Sequence, residues 1–180
     1  MMRKALSRAF PQAVGTGLPV QVAAVCYRVR GFTLEFLLVN TSAGKWTFPK
    51  GRIDPELSGS ESAEREAYEE AGARGRIEEI HIASYVDTKR ALGHENRTRE
   101  IMVAAYMFEV RSMVRPEESD RNPTWFSPDE AKKKLGERRA SKYSGQLTGL
   151  VDKAVERVTS DRTHSSLREV AAYRRLVAQR

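Results

Sequence analysis

The 180-residue chain has only one cysteine, Cys26, so an internal disulfide is excluded. It has no uninterrupted apolar run near the roughly 20 residues that a membrane-spanning helix needs, and a soluble protein with no membrane association is expected. Nothing resembling a secretory leader precedes Cys26, so the expected setting is the reducing cytoplasm. The opening residues, with Arg3, Lys4 and Arg8 and no acidic side chain, read as a loosely ordered arm. Histidine is scarce, and His81, His94 and His164 show no paired metal-ligand spacing. Negative charge is in deficit too: 24 Asp and Glu against 31 Lys and Arg leave a formal charge of +7. That surplus favours an anionic partner, whether nucleic acid, a lipid surface or a phosphate-rich small molecule, without choosing among them.

What is present suggests one domain with short extensions. Residues 1–17 read as the flexible arm, 18–136 as the main domain, and 137–180 as a basic helical extension that packs on the domain or joins two copies into a homodimer. Strands are expected at Val20–Arg30, Thr33–Asn40, Lys45–Phe48, Arg76–Thr88 and Arg99–Val110, from their β-branched and aromatic content. A helix capped by Ser60 or Ser62 should run to about Ala71 and stop at Gly72. Ser127 or Asp129 should open a short helix through Leu135. Apolar residues recurring from Leu147 to Val158 predict a helix over Ser144–Val158, with another over Ser165–Ala178. Strands on both sides of one central helix, then terminal helices, imply an α+β protein: a mixed sheet sandwiched between helices.

The informative stretch is Phe48–Gly75, FPKGRIDPELSGSESAEREAYEEAGARG. Glu66, Glu69 and Glu70 fall at i, i+3 and i+4, so one side of a helix carries three carboxylates. Arg65 reaches only Glu69, and one guanidinium does not neutralise three carboxylates. A hard divalent cation would, and Mg²⁺ or Mn²⁺ suits oxygen ligands of this kind. On its own such a pattern is more often a solvated helix face. Here Arg65-Glu66-Ala67-Tyr68-Glu69-Glu70-Ala71-Gly72-Ala73 follows the order Arg-Glu-U-x-Glu-Glu-x-Gly-U, where U is small or aliphatic. Its five fixed residue types would coincide by chance about once in a million starting points. Gly51 adds a match fourteen residues before Arg65.

In these residues the chain resembles the Nudix hydrolase family, closely over the box and by strand order over the rest of residues 18–136. The resemblance implies the Nudix fold and a metal-dependent hydrolysis in which water attacks phosphorus of a diphosphate. It assigns Glu66 and Glu70 as metal ligands, with the Lys50 carbonyl and a loop glutamate, Glu118 or its neighbour Glu117, or Glu95 in the other polar loop, as further ligands. Glu69 would be general base as well as part of the metal cluster, and Arg65 would orient a carboxylate. Leu57 stands where the family has Glu, so Glu56 or Glu61 is expected to replace its anchoring role.

Trp46-Thr47-Phe48-Pro49-Lys50-Gly51 resembles the entry to the box in diphosphoinositol polyphosphate and diadenosine polyphosphate hydrolases. Arg28, Lys50, Arg52, Lys89, Arg90, Arg97 and Arg99 are the candidate substrate contacts, with Arg28 favoured on the first strand. Tyr27, Tyr85, Tyr106 and Trp46 are available to stack on a base. ADP-ribose or a nucleoside polyphosphate is the alternative substrate. The alternative of another class is a non-catalytic module binding RNA or a nucleotide, though nucleic acid is the less favoured partner.

Overall fold

The structure is a computed structural model that describes residues 18–90 and 98–177, with side chains described for 18–89 and 98–163. The proposed arm at 1–17, together with His94, Glu95 and Arg97, lies outside the described residues, as do the side chains of Arg90 and of the stretch after Thr163. Eight strands form one mixed sheet: β1 Val20–Arg30, β2 Thr33–Asn40, β3 Trp46–Thr47, β4 Lys50–Arg52, β5 Ala73–Ile77, β6 Ala83–Arg90, β7 Thr98–Met113 and β8 Thr124–Phe126. Three helices pack on it: α1 Gly59–Ala71, α2 Pro128–Gly136 and α3 Ser141–Val177.

Strand β1 is buried on both faces, which explains its nearly continuous apolar run. Val22, Ala24 and Cys26 face Ala63, Ala67 and Ala71 of α1. Ala23, Val25 and Tyr27 face Leu135 of α2 and Leu147, Leu150, Val151 and Ala154 of α3. The small alanines of α1 let that helix sit close to the sheet, bringing its carboxylate side to the edge formed by β4. Strand β1 runs parallel to β7 on one flank; on the other it pairs antiparallel with β2 at Tyr27–Arg30 and with β4 at Gln21–Ala23.

Four local expectations are corrected. The cap of α1 is Ser58, not Ser60 or Ser62: its hydroxyl accepts from Glu61 N–H while the Glu61 carboxylate accepts from Ser58 N–H. The expected strand Arg76–Thr88 is two strands, because five residues, 78–82, span only two positions of β7 between the pairs Ile77–Phe108 and Ala83–Ala105. Ile80 is consequently thrown out to solvent. The third strand is shorter than expected, and Lys50–Arg52, read from sequence as a break, adds a strand against β1.

The two C-terminal helices are one. Residues 159–164 are polar but contain no Gly or Pro, and the Thr159 and Thr163 hydroxyls bond back to the carbonyls of Val155 and Thr159, four residues earlier. No helix among the described residues is long and apolar enough to cross a membrane.

Candidate active site

Gly72, at φ +66°, stops α1 in the left-handed conformation and donates its N–H to the Tyr68 carbonyl. Upstream, cross-strand pairing of Gly51 with Val22 turns position 51 toward α1, and a Cβ there would lie 1.9 Å from the Glu66 carboxylate. Glycine is therefore what admits Glu66 against β4.

The carboxylates of α1 differ in their surroundings. Glu70 is 4% exposed; it accepts from Lys50 N–H at 3.1 Å and pairs with Arg121 at 2.8 Å. Burial raises its pKa to about 7, opposed by Arg121 and the Lys50 N–H. Glu66 has no ion-pair partner among the described residues, and burial, reinforced by Glu70, Glu69 and Glu118 and opposed by Arg65, raises it to about 7. Glu69 is held by Arg65 Nε at 2.6 Å, and its backbone carbonyl accepts from Glu118 N–H at 3.0 Å. That backbone bond docks the loop after β7 onto α1 and adds the Glu118 charge to those of Glu66 and Glu70. Glu117, its neighbour, is exposed.

Among the described residues no three such side chains yet converge on one point at metal-ligand distance. Arg121 is the reason at Glu70 and Glu118: its guanidinium bridges them, with Nε 2.5 Å from Glu118 and Nη2 2.8 Å from Glu70. The donor set nevertheless fits a hard divalent cation, since it is all oxygen, partly buried, and leaves Glu66 without an ion-pair partner among the described residues.

Neither Glu56 nor Glu61 replaces the glutamate missing at Leu57. Glu61 is used in the helix cap, and Glu56 is exposed, its N–H bonded to Asp54. Asp54 supplies the anchor instead: its carboxylate takes Arg65 Nη1 at 2.7 Å, and its N–H donates to Ser62 Oγ at 3.1 Å. The chain Asp54–Arg65–Glu69 ties the loop to the helix. Asp54→Ala is expected to reduce activity or metal affinity by roughly 10- to 100-fold, the usual range for partners that orient metal ligands. Metal titration against the parent protein checks this, and an unchanged affinity and rate would refute the anchoring role.

Glu70 and Lys50 also border a cavity of about 550 Å³, bounded further by Lys45, Asp87, Lys89, Arg121 and Arg139. Lys50 Nζ is 3.5 Å from Asp87, and Arg139 Nε is 3.7 Å from the same carboxylate. Burial lowers the Lys50 pKa, while Asp87 works against that shift. Arg139 is anchored through Nη1 to the carbonyls of Trp46 and Leu135, but its Nε has no acceptor. No aromatic side chain is among the described residues lining this cavity.

The predicted contacts separate in space. Lys50 and Lys89 border this cavity, while Arg52, Lys89 and Arg99 border a neighbouring one. Arg28 is elsewhere: it pairs with Glu35 at 2.7 Å and lies over the Trp125 ring at 3.9 Å. It stands five residues along β1 from Ala23, the register partner of Lys50, a separation of roughly 16 Å. Its charge is used locally, so it is not a contact of the Lys50 cavity. Tyr27, Tyr85 and Tyr106 are core residues, and Trp46 packs edge-on against Phe126.

Sequence reasoning missed Asp87, Arg121 and Arg139. Asp87 had a signal, because it lies two residues after buried Tyr85 on the same face of β6 and is thus a charge where an apolar residue is expected. The two arginines come from connections distant in sequence and had none.

Residues 19–145 match the NUDIX domain model, and the chain belongs to the Nudix family. It is 32% identical over 109 residues to the rat bis(5'-nucleosyl)-tetraphosphatase (asymmetrical), covering 58% of this chain and 71% of that protein. Rat diphosphoinositol polyphosphate phosphohydrolase 2 is 30% identical over 126 residues, covering 66% of this chain and 64% of that protein. Among solved structures, a C. elegans Ap4A hydrolase binary complex superposes with a TM-score of 0.58 at 22% identity, over 79% of this chain and 99% of that one. The NUDIX domain of Shewanella oneidensis NrtR, complexed with ADP ribose, gives 0.56 at 17% identity, over 88% and 99%. At these identities the structural likeness speaks for the fold.

Proposed function

We propose that the protein is a divalent-metal-dependent pyrophosphohydrolase acting on a small molecule with several phosphates, with Mg²⁺ as the ion and Mn²⁺ as an effective substitute. The observation that carries this reading is the Glu66–Glu70–Glu118 cluster, in which Glu66 has no ion-pair partner among the described residues and Glu70 lines a cavity bounded by Lys45, Lys50, Lys89, Arg121 and Arg139. When bound, the ion supplies Lewis-acid stabilisation of phosphate oxygens and lowers the pKa of water. Glu66, Glu70 and Glu118 would hold it, with the Lys50 carbonyl as a further oxygen. Glu69, oriented by Arg65, accepts the proton of the attacking water; the water oxygen bonds to phosphorus as the P–O anhydride bond breaks. Lys50, Arg121 and Arg139 face the charge gained by the departing phosphate.

Of the two substrate types, the lining favours the diphosphoinositol polyphosphate type. Cations and hydroxyls, including Thr41, Ser42 and Thr88, surround the cavity without a described ring on which adenine could stack. A cytoplasmic setting agrees with one buried cysteine, Cys26, whose thiol is pushed well up by burial and is a core group.

The test is a panel of diphosphoinositol polyphosphate, diadenosine tetraphosphate, ADP-ribose and a nucleoside triphosphate, each with Mg²⁺. The expected result is a kcat/KM at least tenfold higher on the diphosphoinositol compound than on the dinucleotide. The reverse order overturns the substrate assignment. Absence of turnover throughout overturns the catalytic one and favours a binding module.

A further inference from the structure

We propose that the end of the sheet remote from the cleft is a docking surface for an anionic lipid bilayer, with Phe32 entering the headgroup layer and a group of arginines holding the lipid phosphates. Strands β1 and β2 are joined by a two-residue turn: Arg30 is paired with Thr33, and Gly31 between them has φ +59°. A positive φ at the first central position is what glycine supplies in such hairpins. A Cβ at Gly31 would meet nothing within 4 Å, so the turn stands clear of the body of the protein. It is nevertheless held in place, because Arg162 Nη2 of α3 donates to the Gly31 carbonyl at 3.3 Å. Phe32, the other central residue, is 100% exposed. One exposed apolar side chain alone calls for no explanation, but a cluster of them marks an interaction site. Phe32, Ile80 and Met113 are the large apolar side chains exposed among the described residues, and Met113 ends β7 at the same end of the sheet as Phe32.

The charge at this end is predominantly of one sign. Strand β1 runs parallel to β7 with Tyr27 paired to Glu109, so Arg30 and Arg111 follow that pair within three residues on adjacent strands. Arg74 and Arg76 stand next to them on β5, paired with Ser112 and Glu109. Arg115 comes directly after Val114, whose N–H donates to the Gly72 carbonyl just ahead of β5. Together with Arg162 at the turn, all of these arginines are exposed. Arg76 and Arg111 share Glu109, at 3.5 and 3.7 Å, whereas Arg30, Arg74, Arg115 and Arg162 have no ion pair among the described residues. Glu117, two residues beyond Arg115, is the neighbouring acidic side chain and is exposed. Like charges on neighbouring strands contribute nothing to the fold, and an anionic surface would relieve their repulsion. Guanidinium is weakly hydrated and takes phosphate oxygens in pairs, which suits it to a headgroup layer. Attachment to a bilayer surface grows with the apolar area that enters it and with the attraction of basic side chains to anionic lipids, and this end offers both. Single-stranded nucleic acid asks for a groove that tracks its backbone and for successive rings on which bases stack. Here one ring stands exposed at a turn, and Met113 offers no π-face. Arg30 is seven residues along β1 from Ala23, the register partner of Lys50, a separation of roughly 23 Å. Docking at this end therefore leaves the cleft open to a soluble substrate, and it requires no membrane-spanning helix.

The experiment is co-sedimentation of the full chain in EDTA with phosphatidylcholine vesicles, with and without phosphatidylserine. The parent should bind the phosphatidylserine vesicles about tenfold more tightly or better, and its affinity should fall as salt is raised. Arg30→Gln/Arg115→Gln removes two charges without an ion pair in the fold and should weaken that binding on the order of tenfold. Phe32→Ser keeps a residue suited to the turn while removing the ring, and should weaken binding severalfold. Phe32→Trp should keep the binding and shift tryptophan emission to the blue on phosphatidylserine vesicles, which a purely electrostatic contact would not do. Melting temperatures equal to the parent's separate loss of docking from loss of fold, since each substituted side chain is exposed. Equal binding to both vesicle types, no binding to either at millimolar lipid, binding unaffected by the arginine pair or by Phe32→Ser, or an unmoved emission in Phe32→Trp would overturn the proposal. Capture of a single-stranded RNA oligonucleotide through the same residues, without binding of vesicles, would overturn it in favour of nucleic acid.

Discussion

Glu70→Gln is expected to lower kcat on the order of 10³-fold while leaving the metal-free fold at least as stable as the parent at pH 8. The loss corresponds to the several kcal/mol that metal-ion stabilisation contributes to such reactions. The amide keeps the shape and can still accept from Lys50 N–H, but it is a much poorer ligand for a hard cation. Stability behaves differently because the native carboxylate is held against a gradient. Both Glu66 and Glu70 have pKa values raised from 4.5 to about 7, chiefly by burial. A carboxyl with a raised folded-state pKa binds its proton more tightly in the folded protein than in the unfolded chain. Its contribution to stability is therefore favourable below about pH 4.5 and is lost as pH rises through about 7. Thermal melts in EDTA from pH 5 to 8 should show the parent losing stability and the variant losing less. Arg121, relieved of Glu70, keeps Glu118. A variant with near-parental kcat, or one much less stable than the parent at pH 8, would contradict this account.

The residues in that prediction were legible from sequence because helix geometry turns spacing into direction. Once Gly72 and the Ser58–Glu61 cap bound the helix, i, i+3 and i+4 place the glutamates on one side whatever the rest of the chain does. The two-faced burial of β1 was similarly legible. The loop anchor was not: Asp54 and the expected candidates Glu56 and Glu61 differ by only a few positions, and the choice depends on the path of the loop between Arg52 and Ser58. The split after Ile77 escaped notice because Glu78–Ile82 mixes polar and apolar residues much as a strand does. Arg121 and Arg139 meet Lys50 only through tertiary packing, so no local pattern points to them.

Asp87→Asn carries the largest expected cost to the fold. Asp87 is the shared counter-ion of Lys50 and Arg139, and all three side chains are nearly withdrawn from solvent. Removing one member of a buried charged set leaves uncompensated charge, a loss of about 3–5 kcal/mol. The two cations do not respond alike. Lys50, already depressed by burial, can shed its proton, whereas an arginine stays charged at any relevant pH. The penalty thus concentrates on Arg139, which also bonds the Trp46 and Leu135 carbonyls and so ties the connection after α2 to the entry of the box. At 2–4 °C per kcal/mol for a chain of this size, Tm should fall on the order of 10 °C. Chemical denaturation alongside the melts fixes the free energy, and a change below about 1 kcal/mol would show that the triad is not a structural keystone.

The parallel pairing of β1 with β7 has a bearing on how the protein comes to be folded. Val20 is paired with Met102, about eighty residues later in the chain. Loop-closure entropy must be overcome before so distant a contact stabilises anything, which makes this pairing a slow step compared with formation of α1. Until it is complete, the carboxylate helix has no sheet to rest on, and its clustered charges remain in water where they repel least. During synthesis the helix emerges well before β7, and Arg139 later still. The acidic and basic halves of the cleft are thus assembled at different times, and Arg139 joins them only with the connection that also brings α3 onto the second apolar face of β1.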